Sequence, residues 1–580
     1  MKTRTLKSWK IGLLSAASMV VGGSSAWAGV ACEALAGLSI PSTTITSAGQ
    51  VTGPLSVSSP GGEGTTNVPF CRVQGVTRPT PGADVRFEVW LPRDWNSRMK
   101  TPTTGGYLGG IPYTRMVEDI AHGYVMVGSN LGHEGGSDPR WTLDPDALAA
   151  YGYGAHPFVN RAARAIVQAL YDKAPFKSYF EGCSGGGRQA LMMAQRYPDL
   201  FDGIIAGAPS NSYPDSIMQI LWQQRIHKPT SPNDAPLIPM TKLAMVSASV
   251  LARCDATDGV KDGLITDPRA CERDMSALRC KAGDGPDCLT DKQITGLHEI
   301  YGGPRRSNGT PLYRGPLPGG EYSWNLLPGD TTRYGAFFGD VVLENTSWDW
   351  RTLDYDSQYD HMRDRINPIM ASPSPDLSAF KARGGKILQF HGWHDQLIAP
   401  TASPNYYASV IAFERLKDSK DADAAIDKLT PRDVTADFAR PQGVQDFYRL
   451  FMVPGMAHCR GGNAPNRFDQ GPNGMPSKRD LEHSAMLQLE RWVEQGIAPE
   501  RIVATQVLDN DPAKGIVREF PLCAYPKMAR YTGKGDVKDP ANFTCGATDA
   551  ANLAPSPADM VQIKYSLKVR KVIGPKAELK

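Results

Sequence analysis

Three short apolar runs in this sequence are each followed by a polar segment that holds a chemically reactive side chain. The runs cover residues 178–180, 386–390 and 447–453. Short apolar runs bounded by turn residues are typical of strands that are buried on both faces. The first run is also followed by residues 188–197, which are rich in helix formers. The pattern predicts an α/β sheet with reactive side chains just beyond the ends of its strands.

The segment after the first run is a candidate nucleophile elbow. Ser184 lies in GCSGG, residues 182–186, which matches the pattern G-x-S-x-G. This motif requires a strand before the serine and a helix after it, and the sequence predicts both. The glycines permit a strained turn and a close approach of the helix to neighbouring strands. The alternative is a glycine-rich turn that exposes an ordinary serine to solvent.

A serine hydroxyl is a poor nucleophile until a base takes its proton. In α/β-hydrolases the serine comes first along the chain, then an acid, then the histidine, which favours a late histidine. His458 follows the run 447–453 and a Pro-Gly turn. It therefore lies where a catalytic base is expected, on a loop just past a strand.

The acid that orients such a histidine should also follow a strand. Asp395 comes shortly after the run 386–390. The alternative is a loop aspartate that only caps a turn. His391 and His394 form an H-x-x-H pattern, but no third ligand and no helix accompany it, so it is a weak indication of a metal.

Two cysteines flank the candidate nucleophile and the candidate base. Cys183 precedes Ser184, and Cys459 follows His458. If these cysteines are bonded to each other, their Cα atoms lie roughly 5.5 Å apart and the serine and histidine are brought together. A rival interpretation makes Cys183 a thiol nucleophile, which requires a free thiol.

The N-terminal residues have the features of a secretory signal peptide. Residues 1–28 hold a basic leader, a short apolar stretch and an Ala-Trp-Ala cleavage site. The ten cysteines also suit an oxidising compartment. We therefore expect a secreted or periplasmic protein that is cleaved after Ala28.

Charge and hydropathy exclude two classes of partner. The formal charge of +3 becomes about −1 without the basic leader, so no nucleic-acid partner is expected. No later run reaches about 18 apolar residues, so no membrane span is expected either.

The distance along the chain between Ser184 and Asp395 exceeds what a hydrolase core needs. The intervening segment holds four cysteines and many prolines and glycines. We interpret residues 213–376 as an inserted lid domain, with the core formed by residues 29–212 and 377–580.

An acidic loop in the predicted lid suits a hard cation. Asp255, Asp258 and Asp262 lie with two glycines in ten residues. Calcium prefers oxygen ligands from carboxylates and backbone carbonyls. The spacing is not that of an EF-hand, and an acidic surface turn explains the loop equally well.

Three segments resemble the tannase and feruloyl esterase family of α/β-hydrolases. They are residues 179–210, 384–400 and 450–462, which contain the Cys-Ser pair, the Asp395 loop and the His-Cys pair. The resemblance implies an α/β-hydrolase core with a large inserted lid. It also implies Ser184 as nucleophile, Asp395 as orienting acid and His458 as base.

The resemblance implies further sites. It implies structural calcium held by Asp255, Asp258 and Asp262 with the carbonyls of Val260 and Leu264, and no organic cofactor. The sequence alone leaves the connectivity of the ten cysteines open. The resemblance implies five disulfides, which are Cys32–Cys71, Cys183–Cys459, Cys254–Cys271, Cys280–Cys288 and Cys523–Cys545.

An oxyanion hole needs two N–H donors. One is expected from Gly185, directly after the nucleophile, and the other from an early loop after a strand. Gly105 lies in such a loop, after the apolar run 85–91, and Thr104 and Gly106 beside it are alternatives.

The family resemblance implies a small-molecule substrate, an ester of an aromatic acid of the galloyl, hydroxycinnamoyl or terephthaloyl type. The predicted lid offers aromatic side chains for a flat slot, although core packing explains them as well; they are Trp324, Phe337, Phe338, Trp348 and Trp350. Arg333 is a candidate anion contact. The rival functions are another serine hydrolase, acting on terephthalate monoesters, polyester oligomers or peptides, and a non-catalytic binding protein.

Overall fold

The computed structural model describes residues 29–136, 138–228, 235–326, 331–472 and 474–569. The predicted signal peptide, residues 1–28, lies outside them. Nine described strands form one sheet, in the order β1-β4-β5-β7-β6-β8-β9-β10-β11. These strands are β1 (Thr43–Val51), β4 (Phe70–Thr77), β5 (Val85–Pro92), β6 (Arg98–Pro102), β7 (Val125–Ser129), β8 (Lys177–Cys183), β9 (Gly203–Gly207), β10 (Lys386–Gly392) and β11 (Tyr448–Val453).

The strands of one half of the sheet are parallel. The β7–β6, β6–β8, β8–β9, β9–β10 and β10–β11 pairs are parallel, whereas β1, β4, β5 and β7 pair antiparallel. Three hairpins lie outside the main sheet. They pair β2 (Leu55–Ser59) with β3 (Gly62–Thr66), β12 (Arg501–Val507) with β13 (Ile516–Cys523), and β14 (Lys527–Tyr531) with β15 (Phe543–Ala547).

Helices cover both faces of the sheet, and others belong to the segment between β9 and β10. They are α1 (Tyr113–Ile120), α2 (Pro145–Ala149), α3 (Ala155–Tyr171), α4 (Gly185–Arg196), α5 (Tyr213–His227), α6 (Met240–Cys254), α7 (Asp291–Gly302), α8 (Thr331–Ala336), α9 (Ser357–Met370), α10 (Ser378–Ala382), α11 (Ala402–Leu416), α12 (Ala422–Lys428), α13 (Pro431–Ala439), α14 (Ala485–Gln495), α15 (Ala550–Leu553) and α16 (Pro557–Lys568).

The continuous apolar runs of the sequence are explained by this two-sided cover. In β8, Phe180 packs in the cluster that contains α4 and α11, whereas Tyr179 packs on the opposite face with α14. Ile387 and Leu388 of β10 divide between the same two clusters. Because successive side chains of a strand point to opposite faces, a strand covered on both faces has no polar alternation.

The strand and helix predictions around the candidate site are confirmed. Strand β8 contains residues 178–180, β10 contains residues 386–390, and β11 begins one residue later than predicted, at Tyr448. Helix α4 begins at Gly185 rather than at residue 188 and ends at Arg196.

The described residues between β9 and β10 form helices and no regular strand. This segment includes α5 to α9, which agrees with an insertion between two core strands. The proposed domain boundaries at residues 212 and 376 stay a prediction. None of the described helices is long and apolar enough to cross a bilayer.

Candidate active site

The three candidate catalytic residues follow three strands of the parallel half of the sheet. Ser184 follows β8, Asp395 follows β10 and His458 follows β11. Carboxyl ends of parallel strands meet at one edge of a sheet, where ligands of open α/β sheets bind. The fold therefore collects at one edge residues that are far apart in the sequence.

Ser184 has the strained backbone of a nucleophile elbow. Its φ is 65° and its ψ is −120°, outside the usual regions for a residue with a side chain. Its N–H donates to the carbonyl of Gly207 on the adjacent strand, at 2.9 Å. The strand ends and α4 begins within one residue on either side of it, so the hydroxyl is presented at the tip of the turn.

The glycines of the elbow are required by close backbone contacts. A Cβ on Gly182 would lie 2.6 Å from the backbone of Gly186, and one on Gly187 would lie 2.2 Å from the carbonyl oxygen of Gly207. Neither contact can be relieved by moving a flexible side chain. Glycine is therefore the residue that lets α4 start directly against β9.

Asp395 holds the imidazole of His458. Its Oδ2 lies 2.7 Å from His458 Nδ1, and its Oδ1 accepts from the N–H groups of Leu397 at 2.8 Å and Ile398 at 2.9 Å. Burial alone would raise the pKa of Asp395. The charge of His458 and the hydrogen bonds of His391 and His458 instead hold that pKa well below its ordinary value.

The sequence indicated His391 only as part of a weak metal pattern, and the structure gives it another environment. His391 Nε2 lies 3.0 Å from Asp395 Oδ2, whereas His394 Nδ1 lies 3.5 Å from the hydroxyl of Tyr322. The two histidines therefore have separate partners. The sequence offers one signal for this contact, the spacing of four residues between His391 and Asp395 across a tight turn.

The bond between Cys183 and Cys459 joins the serine loop to the histidine loop. The two Cα atoms are 6.0 Å apart. Ser184 and His458 line the same cavity, and no direct hydrogen bond joins them among the described residues. Such contacts often form only when substrate binds. The other four implied pairs are also bonded: Cys32–Cys71, Cys254–Cys271, Cys280–Cys288 and Cys523–Cys545.

The loop with Gly105 lies directly against the nucleophile. A Cβ on Gly105 would lie 3.3 Å from Ser184 Cβ, and one on Gly185 would lie 3.2 Å from Gly106 N. The hydroxyl of Tyr151 donates to the carbonyl of Gly106 and so fixes the orientation of this turn. The sequence did not indicate Tyr151.

The loop with Gly105 follows β6, a strand that the sequence did not predict. Its residue Lys100 is fully buried and charged, whereas lysines are usually exposed. Lys100 Nζ lies 2.7 Å from Asp119 Oδ2, and Arg115 Nη2 lies 2.7 Å from Asp469 Oδ1. Glu181 of β8 contacts both cations. This buried ion cluster lies behind the candidate site.

The cavity at Ser184 has a volume of about 560 Å³. Tyr334, Leu108 and Leu397 line it together with the cations Arg333 and Arg460. The five lid aromatics that the sequence offered do not line it. Four of them are buried in the apolar clusters, namely Trp324, Phe337, Phe338 and Trp350. The fifth, Trp348, is partly buried and packs against one of these clusters. Ile398 does not line the cavity either, and its N–H donates to Asp395.

The acidic loop brings its carboxylates together, but they bond to backbone N–H groups of the loop and to a cation outside it. Asp255 Oδ1 accepts from the N–H groups of Asp262 at 3.0 Å and Gly263 at 2.9 Å, and Asp262 pairs with Arg518. Burial raises the pKa of Asp258, hydrogen bonds from its neighbours oppose this, and the charges of Asp262 and Asp255 add to it.

The donor chemistry of this loop suits a hard cation, which would relieve the repulsion between buried carboxylates. As the side chains stand, no three His, Cys, Asp or Glu groups of the described residues converge on a metal position. The carboxylates would have to rotate away from the loop amides to bind one.

Comparison with known proteins gives a consistent assignment. The family model described as "Tannase and feruloyl esterase" matches residues 71–546. An uncharacterised esterase of Xanthomonas campestris pv. campestris is 36% identical over 547 residues, which is 89% of this chain and 91% of the relative. A probable feruloyl esterase B-1 of Aspergillus flavus is 29% identical over 489 residues, 82% of this chain and 86% of the relative.

A solved structure supports the same assignment. The crystal structure of feruloyl esterase B from Aspergillus oryzae matches with a TM-score of 0.76 and 26% identity, covering 89% of this chain and 99% of that chain. The family resemblance and the α/β-hydrolase fold expected from the sequence are confirmed. The chain therefore belongs to the tannase and feruloyl esterase family and is a carboxylic ester hydrolase.

Proposed function

We propose that this protein is a secreted serine esterase that cleaves esters of aromatic acids through an acyl-enzyme on Ser184. The observation that carries the proposal is the bond of 2.7 Å between Asp395 and His458, next to a serine on a strained elbow in the same cavity. These are the parts of a Ser–His–Asp hydrolase.

In the proposed reaction, Ser184 Oγ attacks the ester carbonyl while His458 Nε2 takes its proton. Asp395 holds the Nδ1–H tautomer and stabilises the imidazolium that forms. The oxyanion is held by the N–H of Gly185 and by an N–H of the Gly105–Gly106 turn. His458 then protonates the leaving alcohol, and water attacks the acyl-enzyme by the reverse proton path to release the acid.

The substrate class is proposed from relatives and from the cavity. Relatives named feruloyl esterase favour a hydroxycinnamoyl acyl group. A volume of about 560 Å³ accommodates an aromatic acid and a small alcohol, since ligand sites commonly measure about 300–1,000 Å³. Tyr334 and Leu108 offer apolar surface for a flat acyl group.

A panel of esters tests this proposal. Methyl ferulate and methyl gallate should be hydrolysed, Ser184→Ala should lose at least about 10³-fold in kcat, and Ser419→Ala, at an exposed serine, should retain full activity. Hydrolysis of only peptides or polyester oligomers would reject the substrate class. Full activity of Ser184→Ala would reject the mechanism.

The proposal extends to a structural calcium in the acidic loop. Asp255, Asp258 and Asp262 with the carbonyls of Val260 and Leu264 would hold it, and it would cross-link the loop. The expected result is a Tm that falls on chelation and recovers with calcium but not with magnesium. An unchanged Tm, with no calcium retained on gel filtration, would reject this site.

Secretion is proposed from the N-terminal sequence and the five disulfides. Sequencing of the exported protein should find Gly29 as its first residue. An N-terminus that retains the basic leader would contradict this.

A further inference from the structure

A second imidazole bonds to the carboxylate that holds the proposed base. Asp395 Oδ2 lies 2.7 Å from His458 Nδ1 and 3.0 Å from His391 Nε2. Its other oxygen is occupied by the N–H groups of Leu397 and Ile398. Both oxygens of Asp395 therefore have two donors each, and the orientation of the carboxylate is fully determined.

The direction of the hydrogen bonds behind His391 follows from the carboxylate. An ionised carboxylate only accepts, so His391 Nε2 carries the proton and Nδ1 of the neutral ring accepts. Ser403 Oγ, at 2.7 Å from Nδ1, must then donate its single proton to His391. The same oxygen accepts from Gln389 Nε2 at 2.6 Å, and Tyr448 donates to Gln389 Oε1.

A protonated His391 does not fit this chain of bonds. If Nδ1 also carried a proton, Ser403 Oγ would accept from both His391 and Gln389, and its own proton would have no described acceptor. His391, Asp395, Ser403, Gln389 and Tyr448 are all fully buried, so no solvent competes for these bonds. Each hydrogen bond of this series is therefore donated in the same direction, from Tyr448 toward Asp395.

We propose that His391 is a positioning residue that shares Asp395 Oδ2 with His458, fixes the plane of that carboxylate and lowers its strength as an acceptor for the His458 imidazolium. The inference rests on the proposed function, in which His458 is the base. A carboxylate oxygen with two donors stabilises the imidazolium less than one with a single donor. His391 therefore sets how far toward acid pH the base remains neutral and active.

The tyrosines and His394 around this cluster do not change charge between pH 5 and 8. Burial raises the pKa of four surrounding tyrosines above its ordinary value and lowers that of His394 to about 4; the tyrosines are Tyr313, Tyr406, Tyr407 and Tyr448. In the cavity, Glu181 is paired with Lys100 and Arg115. Burial raises the pKa of Asp215, which interacts with Tyr313, to about 6, and a substitution at His391 leaves Asp215 in place. A difference in the acid limb of activity between such a variant and the wild type therefore reports on His458.

Two substitutions distinguish the effect of the hydrogen bond from His391 to Asp395 from the effect of side-chain shape. His391→Phe keeps a ring and removes the donor, whereas His391→Gln keeps an N–H near the position of Nε2. In the His391→Phe variant, the acid limb of the pH profile of kcat/KM should shift to higher pH by about half a pH unit or more. His391→Gln should keep the limb of the wild type. A limb that is unmoved in a folded His391→Phe, even with a lower kcat, would overturn the proposal.

A measurement on the unsubstituted protein covers the case in which His391→Phe does not fold. The ¹⁵N NMR shifts of His391 should be those of a neutral ring with the proton on Nε2. A proton on Nδ1, or a cationic ring at pH 7, would overturn the proposal. Labelling by a fluorophosphonate keeps the two proposals distinct. If Ser184 is labelled and the limb does not move, only the role of His391 fails; if Ser184 is not labelled, the proposed function fails.

Discussion

At the scale of single residues, the site depends on which atoms of Asp395 face which donors. Oδ1 faces two backbone N–H groups and Oδ2 faces two imidazoles. Only an acceptor suits either position. This makes residue 395 sensitive to the smallest change that turns one acceptor into a donor.

Asp395→Asn should therefore inactivate the enzyme with little change in fold. The amide oxygen would stay on the N–H groups of Leu397 and Ile398, so the NH₂ group would face His458 Nδ1. That contact favours the tautomer with the proton on Nε2, which cannot accept the proton of Ser184. A loss of about 10⁴-fold in kcat is expected, measured on the best ester with circular dichroism as the control for folding. Activity within tenfold of the wild type would contradict the role of Asp395.

At the scale of elements, a buried ion cluster joins the strands that carry the site. It connects β6, β8 and α1 with the loop after β11 through Lys100, Arg115, Glu181 and Asp469. Removing one partner of such a pair leaves an uncompensated buried charge, which costs more than the pair itself contributes. The cluster thus holds the loop after His458 against the core.

Asp469→Asn should be strongly destabilising. The backbone φ of Asp469 is 59°, which asparagine tolerates, so the substitution removes the charge without adding strain. The expected loss in the free energy of unfolding is about 3–5 kcal/mol, from urea denaturation. Asp509→Asn is the matched control, because Asp509 has a φ of 54° and an exposed ion pair with Lys514; it should change stability by less than about 0.5 kcal/mol. Equal effects of the two variants would reject this role of the cluster.

At the scale of the whole molecule, two buried carboxylates link stability to pH. The charges of neighbouring cations hold the pKa of Asp469 well below its ordinary value against the effect of burial, and the histidines do the same for Asp395. An unfolded aspartate has a pKa of about 3.9. The contribution of both groups is therefore complete above that value and is lost as the pH falls through the lower values of the folded state.

The contribution of these two carboxylates to the Tm should accordingly be constant from pH 7 to pH 5 and fall steeply below pH 4. Asp469→Asn should show a smaller fall over the same interval, because one of the two linked groups has been removed. Calorimetry in buffers of equal ionic strength measures both slopes. Parallel slopes of the variant and the wild type would contradict the assignment.

Much of this organisation can be predicted from the sequence, for a physical reason. The strand, turn and reactive residue of each site loop are adjacent in the chain, so local patterns report them, as for β8 and Ser184. Strand β6 could not be predicted, because Lys100 is buried by pairing with Asp119 and Glu181, which come from other elements. The second bond of Asp395 to His391 and the inward packing of Trp324 likewise depend on tertiary contacts.

Trapping of the acyl-enzyme tests the role of Ser184 as the nucleophile. The protein would be mixed with an aryl ester of ferulic acid, whose good leaving group makes acylation faster than deacylation. The reaction would be quenched in acid, the protein digested, and the peptides analysed by mass spectrometry. A feruloyl adduct should form on Ser184 within the time of the first turnover and should be absent from Ser184→Ala. An adduct on another residue, or turnover by Ser184→Ala at the rate of the wild type, would contradict this role.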